Sequence, residues 1–388
     1  MQQSILIFGG SILQRSLILK CKNRGLRTIV IDPDPNALCK KEATVFEIVD
    51  GQDYEKTLAI ARRENICGVI TAASDKPLVM MARVAKTLKL PFISEETAII
   101  STNKFLMKEL FIKNNLPCAK GVELAAADQY TGDFPVIIKP LDNSGSRGVV
   151  LCTNKKELSV NFVDTFKYTR KSKLLVEEFI EGKEYSIEGL HFDGNHKVIA
   201  YTEKETTPFP YNVELGHRQP ANLPDDIKLE ISDLLYKIGR AFNFVNCASH
   251  TEIKIKNNQI HIIETSPRLG GDFITSHLTQ LSTGSDIEDY LITISQGNLP
   301  KITSDVGKSS LIKFFKFNAG LTVLEEWKST IKDDSIVHLR VALNKGDVVP
   351  TIKNSLNRYG EVIFQGNNIN NLECNYSKLY DSMLTNLS

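Results

Sequence analysis

The stretch Phe134-Pro-Val-Ile-Ile-Lys-Pro-Leu-Asp-Asn-Ser-Gly-Ser-Arg-Gly-Val149 sets an apolar run, a lysine and a loop of small residues in immediate succession. Val136, Ile137 and Ile138 are β-branched and suit a strand covered on both faces, from which Lys139 would point into a cleft. Pro140 ends the run. Asp142 to Gly148 are small or polar, so their backbone N–H groups can approach an anion closely. The loop is not a Walker A motif, because the lysine precedes the glycines and no Gly-Lys-Ser/Thr follows them. Taken alone, the stretch fits a phosphate-handling loop and a β-hairpin with a solvated lysine equally well.

Around it lie 388 residues, enough for two or three lobes. With 47 basic and 46 acidic residues the formal charge is +1, so no global field favours nucleic acid or an anionic membrane, and an anion must be bound locally. The seven cysteines are scattered and never spaced as a metal knuckle, which reads as reduced thiols of a cytoplasmic protein. The apolar run Ile5 to Phe8 is too short for a signal peptide or a membrane span.

Residues 1–93 alternate short apolar strands with helical stretches, the pattern of a parallel sheet with helices on both faces. Gly9-Gly10-Ser11-Ile12-Leu13-Gln14 lacks two glycines of the dinucleotide fingerprint, so nicotinamide binding is only a weak alternative. Asn103 to Leu110 reads as a helix with Lys104 near its start. Residues 116–175 read as a compact α/β unit around the opening stretch, and Leu174 to Tyr185 as strand, turn and strand, an edge suited to a flat adenine ring. Residues 206–223 are proline-rich and read as a functional loop carrying Glu214, His217 and Arg218. After Gly297 the texture turns β-rich, with no chemistry evident in it.

Glu252 and Glu264 lie in two otherwise apolar strands, His250 to Ile255 and Ile260 to Thr265, where a carboxylate is costly without a cation or hydrogen bonds. Oxygen ligands of this kind suit magnesium bridging nucleotide phosphates. If the two strands pair, a two-residue turn at Asn257-Asn258 sets Glu252 opposite Ile263 and sends Glu264 to the other face. A three-residue loop or an equivalent bulge sets the two glutamates opposite each other, where like charges need a cation between them. The odd register is the one expected.

Lys104, Val136 to Lys139, the Asp142 to Gly148 loop, Val176-Glu-Glu-Phe-Ile180, Glu252 and Glu264-Thr-Ser-Pro-Arg268, in this order, resemble the ATP-grasp superfamily, nearest its ATP-dependent carboxylate-amine ligases, with the purine-pathway carboxylating ATPase as a relative. The resemblance implies an α/β plus α+β architecture: a pre-ATP-grasp α/β domain at 1–100, an ATP-grasp domain at 101–305 with its lid at about 116–175, and a β-rich lobe at 306–388. It implies ATP and Mg2+ as cofactors, with Mn2+ as a substitute. Lys104, Lys139 and the loop residues Ser144, Gly145 and Ser146 would hold phosphates. Glu177, Phe179 and Ile180 would border the adenine, and Glu184 would reach the ribose. Glu252, Glu264 and Ser266 would hold metal, Ser266 standing where the family usually has Asn. Arg268, with Lys139, would serve catalysis, facing the carboxylate and the acyl phosphate; Glu214, His217, Arg218, Gly270 and Gly271 would contact substrate. His250 stands where some relatives carry arginine, its role open. The implied partners are a small carboxylate and an amine, without nucleic acid or membrane; a homodimer is compatible with the reading. Two alternatives stand beside the ligase: an ATP-dependent carboxylase of a nucleotide amine, and a nucleotide-binding module without catalysis.

Overall fold

The computed structural model describes residues 2–303, 307–325, 327 and 333–388. Strands β1 (Ser4–Phe8), β2 (Arg27–Asp32), β3 (Val45–Ile48) and β4 (Ile66–Ile70) form a parallel sheet in the order β3-β2-β1-β4. Helix α1 (Arg15–Asn23) joins β1 to β2, α2 (Tyr54–Arg63) joins β3 to β4 and α3 (Leu78–Leu88) follows β4, while β2 runs to β3 without a helix; every residue of β1 is buried, as the apolar run Ile5 to Phe8 requires. The turn after β1 leaves no cradle for a dinucleotide. Gly10 donates its N–H to Asp32 Oδ2 at 2.7 Å, and the buried Gln14 side chain fills the space above Gly9, donating to the Ala72 carbonyl at 2.7 Å.

Helices α4 (Glu95–Ser101) and α5 (Lys104–Lys113) lead into a four-stranded antiparallel sheet: β5 (Gly121–Leu124), β6 (Val136–Pro140), β7 (Val150–Cys152) and β8 (Leu174–Glu178), in the order β5-β8-β6-β7. Helix α6 (Lys155–Phe166) packs its Leu158 and Phe162 onto this sheet. The third sheet has eight antiparallel strands. They are β9 (Lys183–Phe192), β10 (Asn195–Thr206), β11 (Glu214–Gln219), β12 (Cys247–Lys256), β13 (Gln259–Ser266), β14 (Ser309–Phe314), β15 (Ile336–Val341) and β16 (Gly360–Gly366), ordered β13-β12-β9-β10-β11-β14-β16-β15. Helices α7 (Asp225–Ala241), α8 (Thr279–Thr283), α9 (Ile287–Ser295) and α10 (Ile369–Leu384) surround it. Ile227, Ile231, Leu234, Leu235 and Ile238 form the buried face of α7.

Two features differ from the sequence expectation. The proline-rich segment 206–223 is not a loop throughout, since β11 lies inside it and is paired on both sides, to β10 and to β14. Its polar residues Glu214, His217, Arg218 and Gln219 hide the strand from any hydrophobic pattern. The stretch after residue 306 also contains a 16-residue helix, α10, and its strands extend the same sheet that carries Glu252.

The hairpin β12–β13 combines both geometries weighed from the sequence. Its turn is the two-residue Asn257-Asn258, with φ of +50° and +62°, a type I′ geometry that asparagine tolerates. A bulge then follows: Ile253 pairs with Ile262 and Glu252 with Glu264, leaving Ile263 without a partner. The extra residue restores both glutamates to one face. Replacing Asn258 by glycine should raise the unfolding free energy by a few tenths to about 1 kcal/mol, and replacing it by valine should lower it by roughly 1–2 kcal/mol. Chemical denaturation that ranks valine at or above asparagine would contradict this turn geometry.

Candidate functional site

Asn103 caps α5 by accepting N–H bonds from Phe105 and Leu106 at 3.0 and 3.3 Å, which fixes Lys104 at the first helical position. From there the Lys104 ammonium pairs with Glu264. Lys139, the fourth residue of β6, is buried, and its ammonium lies 2.5 Å from Glu177 Oε1. The other oxygen of Glu177 lies 2.6 Å from the ammonium of Lys108, which is buried one helical turn after Lys104 and also donates to the Ala119 carbonyl. Burial pushes the Lys139 pKa down; Glu177 opposes that shift, while Lys108 and Lys104 add to it. Glu177 therefore holds two lysines, and its side chain is not free to meet an adenine.

Lys104, Lys139, Glu177 and Glu264 wall a cleft of about 110 Å³ together with Ser144, Gly145 and Ser146 of the phosphate-type loop. At its apolar end Phe179 meets Phe209 edge-on, with centroids 5.2 Å apart, beside Ile137, Val149 and Ile263. Lys254 sits over both rings and donates to the Ile180 carbonyl at 3.3 Å. Such a slot, flat and apolar with backbone groups at its rim, matches a purine ring. Glu184 lines the same cleft and accepts from Lys204 at 2.6 Å. The loop is held at several points: Asn143 donates to the Tyr168 carbonyl, Ser146 to the Asn212 carbonyl, and the Ser355 N–H to the Gly145 carbonyl at 3.4 Å.

A second cavity, of about 250 Å³, adjoins the first at Glu252 and Glu264. Its wall includes His217, His250, Arg268, Gly271 and Asp272, with Ser355, Leu356 and Arg358 contributed by the segment after residue 306. Both cavities share Glu252, Glu264, Glu214 and the loop residues Ser144, Gly145 and Arg147. Arg268 is buried and forked onto Asp75 of the N-terminal lobe, Nε to Oδ1 at 2.8 Å and Nη2 to Oδ2 at 3.0 Å, with N–H groups left over for a ligand. Asp272 accepts both Nη atoms of Arg358 at 2.7 and 2.5 Å, and His217 at 3.2 Å. Burial alone would raise the Asp272 carboxyl, but Arg358 and His217 hold it far below the usual carboxylate range.

The carboxylates already have cations beside them. Glu252 Oε1 lies 2.9 Å from the Lys204 ammonium and 3.4 Å from His250 Nε2. Burial alone would raise the Glu252 carboxyl; Lys204 and His250 hold it well below the usual range. His250 in turn bonds the fully buried Glu188 at 2.7 Å, close enough that a side chain at Gly270 would meet both groups within 2.8 Å. The repulsion expected between the two glutamates is thus relieved by lysines before any metal binds. Among the described residues no group of three or more His, Cys, Asp or Glu side chains could hold a metal unaided. The opposed pair fits Mg2+ completed by phosphate oxygens and water, the usual arrangement for this ion.

One of the residues singled out from the sequence sits elsewhere, and a second is at the site with its hydroxyl already engaged. Arg218 follows His217 on β11, and successive strand residues face opposite ways, so it leaves the site and pairs with Glu203 at 2.5 Å. Ser266 shares the face of Glu264, but its hydroxyl donates to Asp75 at 2.5 Å. Lys108, Lys204, Phe209, Lys254, Asp75, Asp272 and Arg358 escaped the sequence reading. A lysine set between acidic residues in Glu203-Lys204-Glu205 was a visible signal; the long-range partners of the two arginines had none.

The Lys108, Glu177 and Lys139 triad sets a clear order of stabilities. Glu177→Gln strands two buried lysines and should cost about 3–5 kcal/mol, whereas Lys108→Met leaves the Lys139–Glu177 pair intact and should cost less. Urea denaturation showing Lys108→Met to be the more damaging change would contradict the triad.

The comparisons with known proteins agree with this geometry. Residues 132–276 match the family described as ATP-grasp domain. An alanine–anticapsin ligase of Bacillus amyloliquefaciens is 26% identical over 264 residues, which are 60% of this chain and 55% of that protein. This chain thus spans about half the length of the curated relatives it matches. In fold, the chain is similar to an L-amino acid ligase from Bacillus licheniformis, with a TM-score of 0.82 at 18% identity, covering 100% of this chain and 98% of that one. It is also similar to a phosphoribosylglycinamide synthetase from Anaerococcus prevotii, with a TM-score of 0.78 at 23% identity, covering 100% and 99%. Residues 132–276 thus match an ATP-grasp domain, and the whole chain shares its fold with these two solved structures.

Proposed function

We propose that this chain is an ATP-dependent ligase that activates a carboxylate as an acyl phosphate and joins it to an amine, releasing ADP and phosphate. The observation that carries this reading is the meeting of two cavities, one suited to a nucleotide and one lined by Arg268 and His217, at the Glu252–Glu264 pair and the phosphate loop. Phosphoryl transfer asks for charge neutralisation and alignment more than covalent help. Lys139 and Lys104 supply positive charge to the phosphates, and the 142–148 backbone supplies N–H donors. Mg2+, or Mn2+ in its place, would be held by Glu252 and Glu264 and would neutralise phosphate oxygens. Arg268, fixed by Asp75, orients the substrate carboxylate towards the terminal phosphate and then stabilises charge on the acyl carbon's oxygen. An amine docks in the second cavity as its ammonium beside Glu214, gives up its protons to water, and forms the C–N bond as the acyl carbon–oxygen bond to phosphate breaks and phosphate leaves. No side-chain nucleophile is needed.

The three-part division at residues 100 and 305 and a cytoplasmic location belong to this reading. All seven cysteines are unpaired, and among the described residues no helix is long and apolar enough to cross a membrane. A nucleotide-binding module without catalysis fits less well, because such a protein has no use for Arg268 held taut at the far cavity.

Phosphate release should be screened with amino acids and other small carboxylates, singly and in pairs. The reading expects release that rises when a carboxylate and an amine are supplied together; release indifferent to both would contradict it. Two variants separate the roles. Arg268→Ala should retain nucleotide affinity and lose product formation by roughly a hundredfold or more. Lys139→Ala should weaken nucleotide binding by roughly tenfold or more. Calorimetry with the opposite pattern would reverse the assignment.

A further inference from the structure

The strangest group in the site is Lys204. It stands in the middle of the eight-stranded sheet, its side chain 2% exposed, with its ammonium 2.6 Å from Glu184, 2.9 Å from Glu252 and 3.5 Å from Glu214. Those three carboxylates come from β9, β12 and β11, so the lysine ties together three strands besides its own. Glu264, the second of the opposed pair, is paired with Lys104. The two lysines differ in freedom. Lys104 has one carboxylate partner, lies at the half-buried start of a helix and lines the same cleft as the phosphate-type loop. Lys204 has three carboxylate partners and only the edge of its side chain at the wall of the second cavity.

We propose that Lys204 is a built-in cation that keeps free divalent metal out of the carboxylate cluster, so that metal enters only with a nucleotide, whose phosphates draw Lys104 away from Glu264. A divalent ion arriving alone would meet an ammonium group on each glutamate, both repelling it. Arriving with a nucleotide, it finds Glu264 released, because the phosphates give Lys104 a better partner, and it brings its own oxygen ligands. Lys204 stays in place, holding Glu184 and Glu214 while Glu252 offers its remaining oxygen. It is a positioning residue, and the cost of gathering four carboxylates in one cleft is offset before the reaction begins. The inference rests on the nucleotide reading of the first cavity.

Electron paramagnetic resonance of Mn2+ tests it on the intact chain. Wild-type protein should bind Mn2+ alone at least roughly a hundredfold more weakly than it binds Mn2+ in the presence of ADP, after correction for Mn2+ held by free ADP. Lys204→Gln should bind Mn2+ alone roughly tenfold or more tighter than wild type, and Lys204→Arg, which keeps the charge, should not. The wild-type comparison needs no variant to fold. Equal wild-type affinity with and without ADP would overturn the proposal, and so would a folded Lys204→Gln protein with unchanged Mn2+ affinity alongside normal ADP binding. Failure of the wild type to bind Mn2+ with ADP at all would overturn the nucleotide reading and this inference together.

Discussion

Placing two carboxylates face to face across neighbouring strands is the constraint on which the rest of this structure depends. Glu252 and Glu264 are direct partners on β12 and β13, and such a pairing is unfavourable unless positive charge is brought to it. The fold brings that charge from two directions. Lys204 comes from within the same sheet and Lys104 from the cap of a helix outside it, while His250 and Arg268 stand on the same two chain segments as the glutamates themselves. A hairpin bulge of one residue sets this arrangement, since without it Glu264 would face the other side of the sheet.

The second organising feature is the use of paired charges to carry position across the molecule. Asp75, just beyond the parallel sheet, fixes the Arg268 fork; Asp272 fixes Arg358, whose guanidinium also lies 3.7 Å from the Phe314 ring centre. Buried pairs of this kind add little net stability when compared with apolar packing, but breaking one partner is expensive. They therefore act as registration devices. Through them the N-terminal sheet and the segment after residue 306 each contribute one wall of the second cavity, which explains why neither can be treated as a spectator of the site.

Local signals made much of this legible in the sequence. Lys139 announced itself by ending a β-branched run before small residues, and Glu252 and Glu264 by sitting in apolar strands, and the structure brings all three to the wall of one cleft. What escaped did so for physical reasons. Strand β11 is polar because it lines the site on one face, and that erased the alternation by which strands are recognised; Arg218 was then placed with His217 although a strand must separate them. Arg358 and Asp75 gain their meaning from partners 86 and 193 residues away in sequence, and no local pattern encodes such a pairing. The register of the hairpin was foreseen, yet by a longer turn as readily as by a bulge, because two asparagines permit either.

The central claim is that a carboxylate oxygen attacks the terminal phosphate of ATP at the junction of the two cavities. Once an acceptor pair has been found, that carboxylate can be supplied labelled with 18O and the released phosphate examined by mass spectrometry or phosphorus NMR. The account predicts that each turnover moves one labelled oxygen from the carboxylate into phosphate, as an acyl phosphate displaced by an amine must do. Phosphate that carries no label, while amide product accumulates, would contradict it.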